Sequence, residues 1–278
     1  MALLGFTILV DSVFCSATLH VRRRTSAAAP KGFEDVEVQS RDGIRLAGWF
    51  ARAASAQKDC VIVLHGIGDS RLGASGFASL FLDAGYSVLL PDSRAHGESG
   101  GDIVTYGLRE KDDVVRWVQW AHQHECRKMF GLGESLGGAV LLEAAALDQS
   151  QFQAIVAECA YSDLRSVARD RIEQMTGLPP ALGGPLILET SLVFARFAYG
   201  VDLAQGSPRE SIAMLKTPVL LIHGLEDDRT PPSHSRTLKL ANPAAQLWLV
   251  PGAGHVAAFA TAPVEFKRRV LAWFAGHS

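Results

Sequence analysis

Lys128-Met129-Phe130-Gly131-Leu132-Gly133-Glu134-Ser135-Leu136-Gly137-Gly138-Ala139 is the stretch that decides the fold. An apolar run ending in Phe130-Gly131-Leu132 meets a G-x-S-x-G pentapeptide, and small residues then open a helix-like run, Leu136–Leu147. Glycines let the backbone turn sharply between strand and helix, so that the serine hydroxyl stands exposed at the bend. The small residues after it let the helix lie close to a sheet. The pentapeptide alone decides little, because roughly 0.2 matches are expected by chance. A second copy exists at Gly97-Glu98-Ser99-Gly100-Gly101, but Asp102 and no helix-like run follow it, so its serine belongs on a loop. Ser135 is therefore the candidate nucleophile.

Strand-like and helix-like runs alternate on both sides of this turn. Upstream lie strands at Val36–Gln39, Ile44–Ala51, Cys60–Leu64 and Ser87–Leu90, with helices at Ala74–Ala84 and Leu108–His122. The Asp42-Gly43 pair between the first two strands is a hairpin signal. Downstream come strands at Ala154–Glu158, Pro218–Ile222 and Gln246–Val250, and helices at Ser233–Leu240 and Pro263–Ala275. Such alternation implies βαβ crossovers. The expected fold is α/β, a mostly parallel sheet of about eight strands with an antiparallel N-terminal edge and helices on both faces.

Between about 161 and 215 the rhythm breaks into two helix-like pieces, Leu164–Met175 and Leu186–Tyr199, among several glycines and prolines. This stretch is expected to form a small helical cap. Its apolar side chains between Leu182 and Phe197, with Phe194 and Phe197 the largest, either line an acyl pocket or pack the cap onto the sheet.

A serine hydroxyl needs a base within hydrogen-bond reach, and the base needs a carboxylate to orient it. Among the histidines after the elbow, His255 lies in the glycine-rich loop Pro251-Gly252-Ala253-Gly254-His255, just past a strand, where its side chain reaches a site at the strand ends. His223 ends a strand and is expected to bond locally. Glu226, Asp227 and Asp228 share the loop after Pro218–Ile222, and spacing does not choose among them. The oxyanion of an acyl-transfer intermediate needs two N–H donors. Leu136, directly after the nucleophile, and Ile67, in the His65-Gly66-Ile67-Gly68 turn, are the candidates.

From about Phe33 to the C-terminus the chain resembles the α/β-hydrolase superfamily, and more closely its bacterial esterase, lipase and thioesterase-like members. The resemblance rests on six segments in the family's order: Asp42 to Trp49, His65-Gly66, Pro91 to Ser99, Gly133 to Gly138, His223 to Asp228, and Gly254-His255. It implies an acid three residues after the glycine of the His-Gly pair and four before a proline, which selects Asp227, four before Pro231. It also accounts for Gly97 to Gly101 as part of a structural loop, with Ala95 where the family usually has glycine. The implied activity is a serine hydrolase using Ser135, Asp227 and His255 on a small-molecule ester or thioester, without metal or organic cofactor. The aspartate nucleophile of dehalogenase and epoxide-hydrolase relatives is missing; a small aminopeptidase and a catalytically inactive binding fold are the remaining rivals.

Composition agrees with a globular enzyme. The chain has 278 residues, 48% hydrophobic, and Lys+Arg 27 against Asp+Glu 29 gives a net charge of −2. A near-neutral balance offers no general attraction for nucleic acid. Four cysteines, widely spaced and without a C-x-x-C pair, read as mostly reduced core residues. His122-Gln123-His124-Glu125-Cys126 reads as a solvated turn, not a metal site.

Residues 1–32 stand apart. Residues 1–21 are nearly uncharged except for Asp11 and run into Arg22, Arg23 and Arg24. The reading preferred from sequence is an uncleaved membrane anchor with the arginines and the hydrolase domain, 33–278, on the cytoplasmic side. An export signal and a helix packed on the domain are the alternatives. The sequence carries no signal for oligomeric state.

Overall fold

The computed structural model describes residues 11–12, 15–24, 28–54, 58–176 and 184–278. Eight strands form one sheet in the order β1-β2-β4-β3-β5-β6-β7-β8. They are β1 Glu34–Gln39, β2 Arg45–Ala51, β3 Asp59–Leu64, β4 Ser87–Pro91, β5 Lys128–Glu134, β6 Ala154–Glu158, β7 Val219–Gly224 and β8 Gln246–Val250. β1 and β2 form the expected hairpin, turning through Gly43 at φ 84°, and β2 meets β4 antiparallel. All other pairings are parallel.

The inner strands are buried on both faces, as a parallel sheet covered by helices requires. Side chains alternate across it. Cys60, Ile62 and Leu64 of β3 join the core under the helices Glu110–Gln123 and Leu136–Leu147. Val61 and Val63 join the opposite core with Phe77, Phe81, Phe266 and Phe274. Between β6 and β7 the chain leaves the sheet to form two cap helices, Leu164–Thr176 and Gly184–Tyr199, then the short helix Pro208–Met214.

One expectation needs correction and one finds no support. First, Cys60 and Cys126 form a disulfide, Cα to Cα 5.6 Å, while Cys15 and Cys159 are free and buried. The parallel pairing of Asp59 with Lys128 sets the start of β3 beside the segment entering β5, so cysteines 66 residues apart in sequence become neighbours. Closing a loop of that length stabilises by about 4 kcal/mol in the chain-entropy picture. Replacing both cysteines by alanine is expected to lower Tm by on the order of 10 °C, and an unchanged melting curve by circular dichroism would rule that contribution out.

Second, the membrane anchor expected at residues 1–21 finds no support. Among the described residues no helix is long and apolar enough to cross a membrane. The part of this stretch from Asp11 onward that is described packs on the protein itself. Asp11 is buried and accepts hydrogen bonds from Thr190 Oγ1 at 2.8 Å and Ser191 Oγ at 3.0 Å, both on the second cap helix. Cys15 and Leu19 are buried with Leu164, Ala195 and Leu203. The Leu19 carbonyl takes the N–H of Val104, and the Thr18 carbonyl takes the Tyr106 hydroxyl. The Asp11 carboxylate is thus an interior hydrogen-bond acceptor.

Candidate active site

β5 runs straight into Ser135, whose φ of 51° and ψ of −113° are strained for a residue with a side chain. The flanking glycines make that bend possible. A Cβ on Gly133 would lie 2.4 Å from the Gly137 carbonyl carbon, and one on Gly137 would lie 2.4 Å from the Leu64 carbonyl oxygen. Any side chain at either position would push the helix Leu136–Leu147 off the sheet. The turn is tied to β6 by the Ser135 N–H donating to the Glu158 carbonyl at 2.8 Å.

The ends of β7 and β8 bring two further side chains to the same edge. His255 Nε2 lies 3.0 Å from Ser135 Oγ, and His255 Nδ1 lies 2.7 Å from Asp227 Oδ2. The loops that carry them are joined by the Leu225 N–H donating to the Val250 carbonyl and the Glu226 N–H to the Ala253 carbonyl, each at 3.0 Å. Gly224 permits this approach, since a Cβ there would sit 2.2 Å from the Ala253 oxygen. Of the three acidic residues on the loop, only Asp227 is buried; Glu226 and Asp228 face solvent. Asp227 Oδ1 accepts the N–H groups of Arg229 at 3.0 Å and Thr230 at 2.9 Å.

His223, expected to bond only locally, also reaches this carboxylate. Its Nε2 is 2.7 Å from the Thr230 carbonyl and 3.2 Å from Asp227 Oδ2, while Nδ1 meets Ser235 Oγ at 2.6 Å. Burial opposes the charge on Asp227, but the hydrogen bonds from His223, His255 and Thr230 more than offset it and hold the carboxyl well below the ordinary range. The sequence signal was the His-Gly pair itself, three residues before the acid. Cys159, His223 and Asp227 lie close enough to suggest metal ligation. The donor set argues otherwise: His223 and Asp227 are already bonded to each other, and burial raises the Cys159 thiol, favouring the protonated form.

The turn bearing Ile67 stands beside Ser135, with the Cβ position of Gly66 only 3.4 Å from Ser135 Cβ. Two buried histidines hold it. His65 Nε2 accepts the Ser93 N–H at 3.0 Å, and His96 Nε2 accepts the Gly68 N–H at 3.1 Å. Burial, then the neighbouring His65, pushes the His96 pKa down to about 3, so it stays a neutral acceptor. Ile67 and Leu136 both line a cavity of about 530 Å³ that opens over Ser135 and His255.

The walls of that cavity differ from the expected acyl pocket. Leu164, Val167 and Ala168 of the first cap helix line it, facing Ala17 and Val21 of the N-terminal segment. Phe194 packs edge-on to Tyr199 and Phe197 is 84% exposed; neither lines the cavity, and Leu182 lies outside the described residues. The reason is which face of the second cap helix is buried. Leu188, Ser191 and Ala195 turn inward, Ser191 and Ala195 onto the N-terminal segment, and that rotation puts Phe197 on the outside.

Residues 61–269 match the model of the alpha/beta hydrolase family. The chain belongs to that family. Among relatives of this alpha/beta hydrolase, YqkD of Bacillus subtilis is 28% identical over 256 residues, covering 85% of this chain and 82% of that protein. YfhR of Escherichia coli is 25% identical over 237 residues, covering 83% and 76%. Neither relative has an assigned activity in its name. Among solved structures, the Pyrococcus furiosus esterase Pf2001 superposes with a TM-score of 0.74 at 25% identity, covering 93% of this chain and 99% of the esterase.

Proposed function

We propose that this alpha/beta hydrolase cleaves carboxylic esters or thioesters through a covalent acyl-enzyme on Ser135. The observation that carries the reading is the unbroken hydrogen-bonded series from Asp227 through His255 to Ser135 Oγ, at a strained turn beneath a cavity. The structural likeness to the Pyrococcus esterase supports the same class of chemistry.

Ser135 Oγ attacks the substrate carbonyl as His255 Nε2 takes its proton. Asp227 keeps the remaining imidazole proton on Nδ1 and stabilises the imidazolium that forms. The tetrahedral oxyanion is held by the N–H groups of Leu136 and Ile67, each contributing roughly 2.7–4 kcal/mol in comparable sites. His255 then gives its proton to the leaving alcohol or thiol, and the same groups activate water to release the acid.

A fluorophosphonate probe tests the reading, because it traps only an activated serine. The wild-type chain is expected to label, and Ser135→Ala to stay unlabelled. A p-nitrophenyl ester series beside aminoacyl p-nitroanilides then separates ester from amide cleavage. Labelling independent of Ser135, or none at all, would remove the proposal; turnover confined to the anilides would make the protein a peptidase.

A further inference from the structure

Five arginines surround the opening of the cavity in a chain whose overall charge is −2. Arg24, Arg171 and Arg229 line the cavity that holds Ser135 and His255. A second space of about 770 Å³ shares Arg24, Ile67 and Gly68 with it and continues past Arg22 and Arg23, with no acidic side chain among its lining residues. The inner cavity has two carboxyl groups, Asp69 and Glu134. Asp69 pairs with Arg24 at 3.6 Å. Glu134 is driven up to about 8 by burial, then by Glu158 and Asp69, so at neutral pH it does not offset a nearby cation.

Arg171 and Arg229 are left without a carboxylate within ion-pair distance among the described residues, the one on the first cap helix and the other on the loop after β7, at two sides of the same lining. Gln174 joins those sides. Its Oε1 accepts Arg171 Nη1 at 3.1 Å, while its Nε2 donates to the backbone carbonyls of Asp228 and Arg229. The first cap helix is thereby fastened to the loop that carries Asp227, which leaves two guanidinium groups at one rim. Guanidinium forks suit planar carboxylates and phosphates, and a cleft of one charge focuses its field on an incoming ion.

Accepting Ser135 as the nucleophile, we infer that the substrate carries a carboxylate or phosphate outside the scissile bond, and that Arg171 and Arg229 select it at the rim. Arg22 to Arg24 extend the same attraction outward. A substrate led by a free ammonium group, as an aminopeptidase requires, would meet cations here and no unpaired carboxylate.

Matched substrates test this. Butyryl-coenzyme A and butyryl-N-acetylcysteamine share a thioester and differ in phosphates. The p-nitrophenyl monoester of glutaric acid and p-nitrophenyl pentanoate share a chain length and differ in one carboxylate. One charged member is expected to exceed its neutral partner at least tenfold in kcat/KM, mostly through KM, and which pair responds identifies the anion. The ratio should shrink between roughly 50 and 500 mM salt and collapse toward one in Arg171→Gln/Arg229→Gln. Equal turnover within both pairs, or a ratio indifferent to salt and to the arginines, would overturn the inference while leaving the esterase reading intact. Calorimetric binding of the two thioesters to Ser135→Ala gives a readout free of turnover. Arginine-dependent preference for butyryl-coenzyme A there, in a protein whose serine never labels, would keep the anion site and discard the chemistry.

Discussion

Ser135→Ala is expected to lower kcat on a p-nitrophenyl ester by about 10⁶-fold, the scale seen when the nucleophile of a serine hydrolase is removed. The fold should survive. Alanine inherits the same φ of 51°, so no backbone strain is added, and the deleted hydroxyl gives up one hydrogen bond, to His255, worth about 1 kcal/mol net. KM should change little, because the cavity walls and the Ile67 and Leu136 N–H groups are untouched. Melting temperature and substrate binding therefore serve as controls for the kinetic loss. A variant that kept a tenth of wild-type turnover would show that the hydrolysis runs elsewhere.

Asp227→Asn is expected to cost about 10⁴-fold in kcat, on the scale of the same change in a serine protease triad, and the local hydrogen bonds say why. Asp227 Oδ1 already accepts two backbone N–H groups. An asparagine will keep its oxygen there, which turns its amide N–H₂ toward His255 Nδ1, a donor facing a donor. The imidazole escapes by moving its proton to Nε2, the atom that must accept from Ser135. The ring stays in place and loses its function as base. Glu226→Gln and Asp228→Asn are the controls: both residues are exposed, and each substitution is expected to change kcat less than about twofold. If Asp228→Asn were as damaging as Asp227→Asn, the orienting carboxylate would have been misassigned.

The sheet was legible because its inner strands are buried on both sides and read as short apolar runs between turn residues. Ala154–Glu158 and Gln246–Val250 begin and end where the sequence suggested, as does the helix Leu136–Leu147. The helix expected over Ala74–Ala84 is instead divided by a tight turn at Ser75–Phe77, with Gly76 at its centre. The short helix Pro208–Met214 went unread although Ser207 and Pro208 mark its start, the serine accepting the Glu210 N–H. What sequence could not supply was register and rotation. The pairing of Cys60 with Cys126 follows from how β3 lies against β5, and the outward turn of Phe197 follows from what packs on the other side of its helix. Hydropathy likewise described residues 1–21 as apolar without saying what Cys15 and Leu19 would be buried against. The positions that meet around Ser135 were easier, since each stands just beyond a strand end and the parallel sheet collects such ends at one edge.

The stretch matched by the family model begins at residue 61, whereas Ala17, Thr18, Val21 and Arg24, which line one side of the cavity, lie wholly upstream of it. Part of the cavity wall is thus supplied from outside the matched stretch. A chain trimmed to that stretch would lose β1 and β2 along with this wall, whereas one beginning after Arg24 would open the cavity on one side and retain Ser135, Asp227, His255, Arg171 and Arg229.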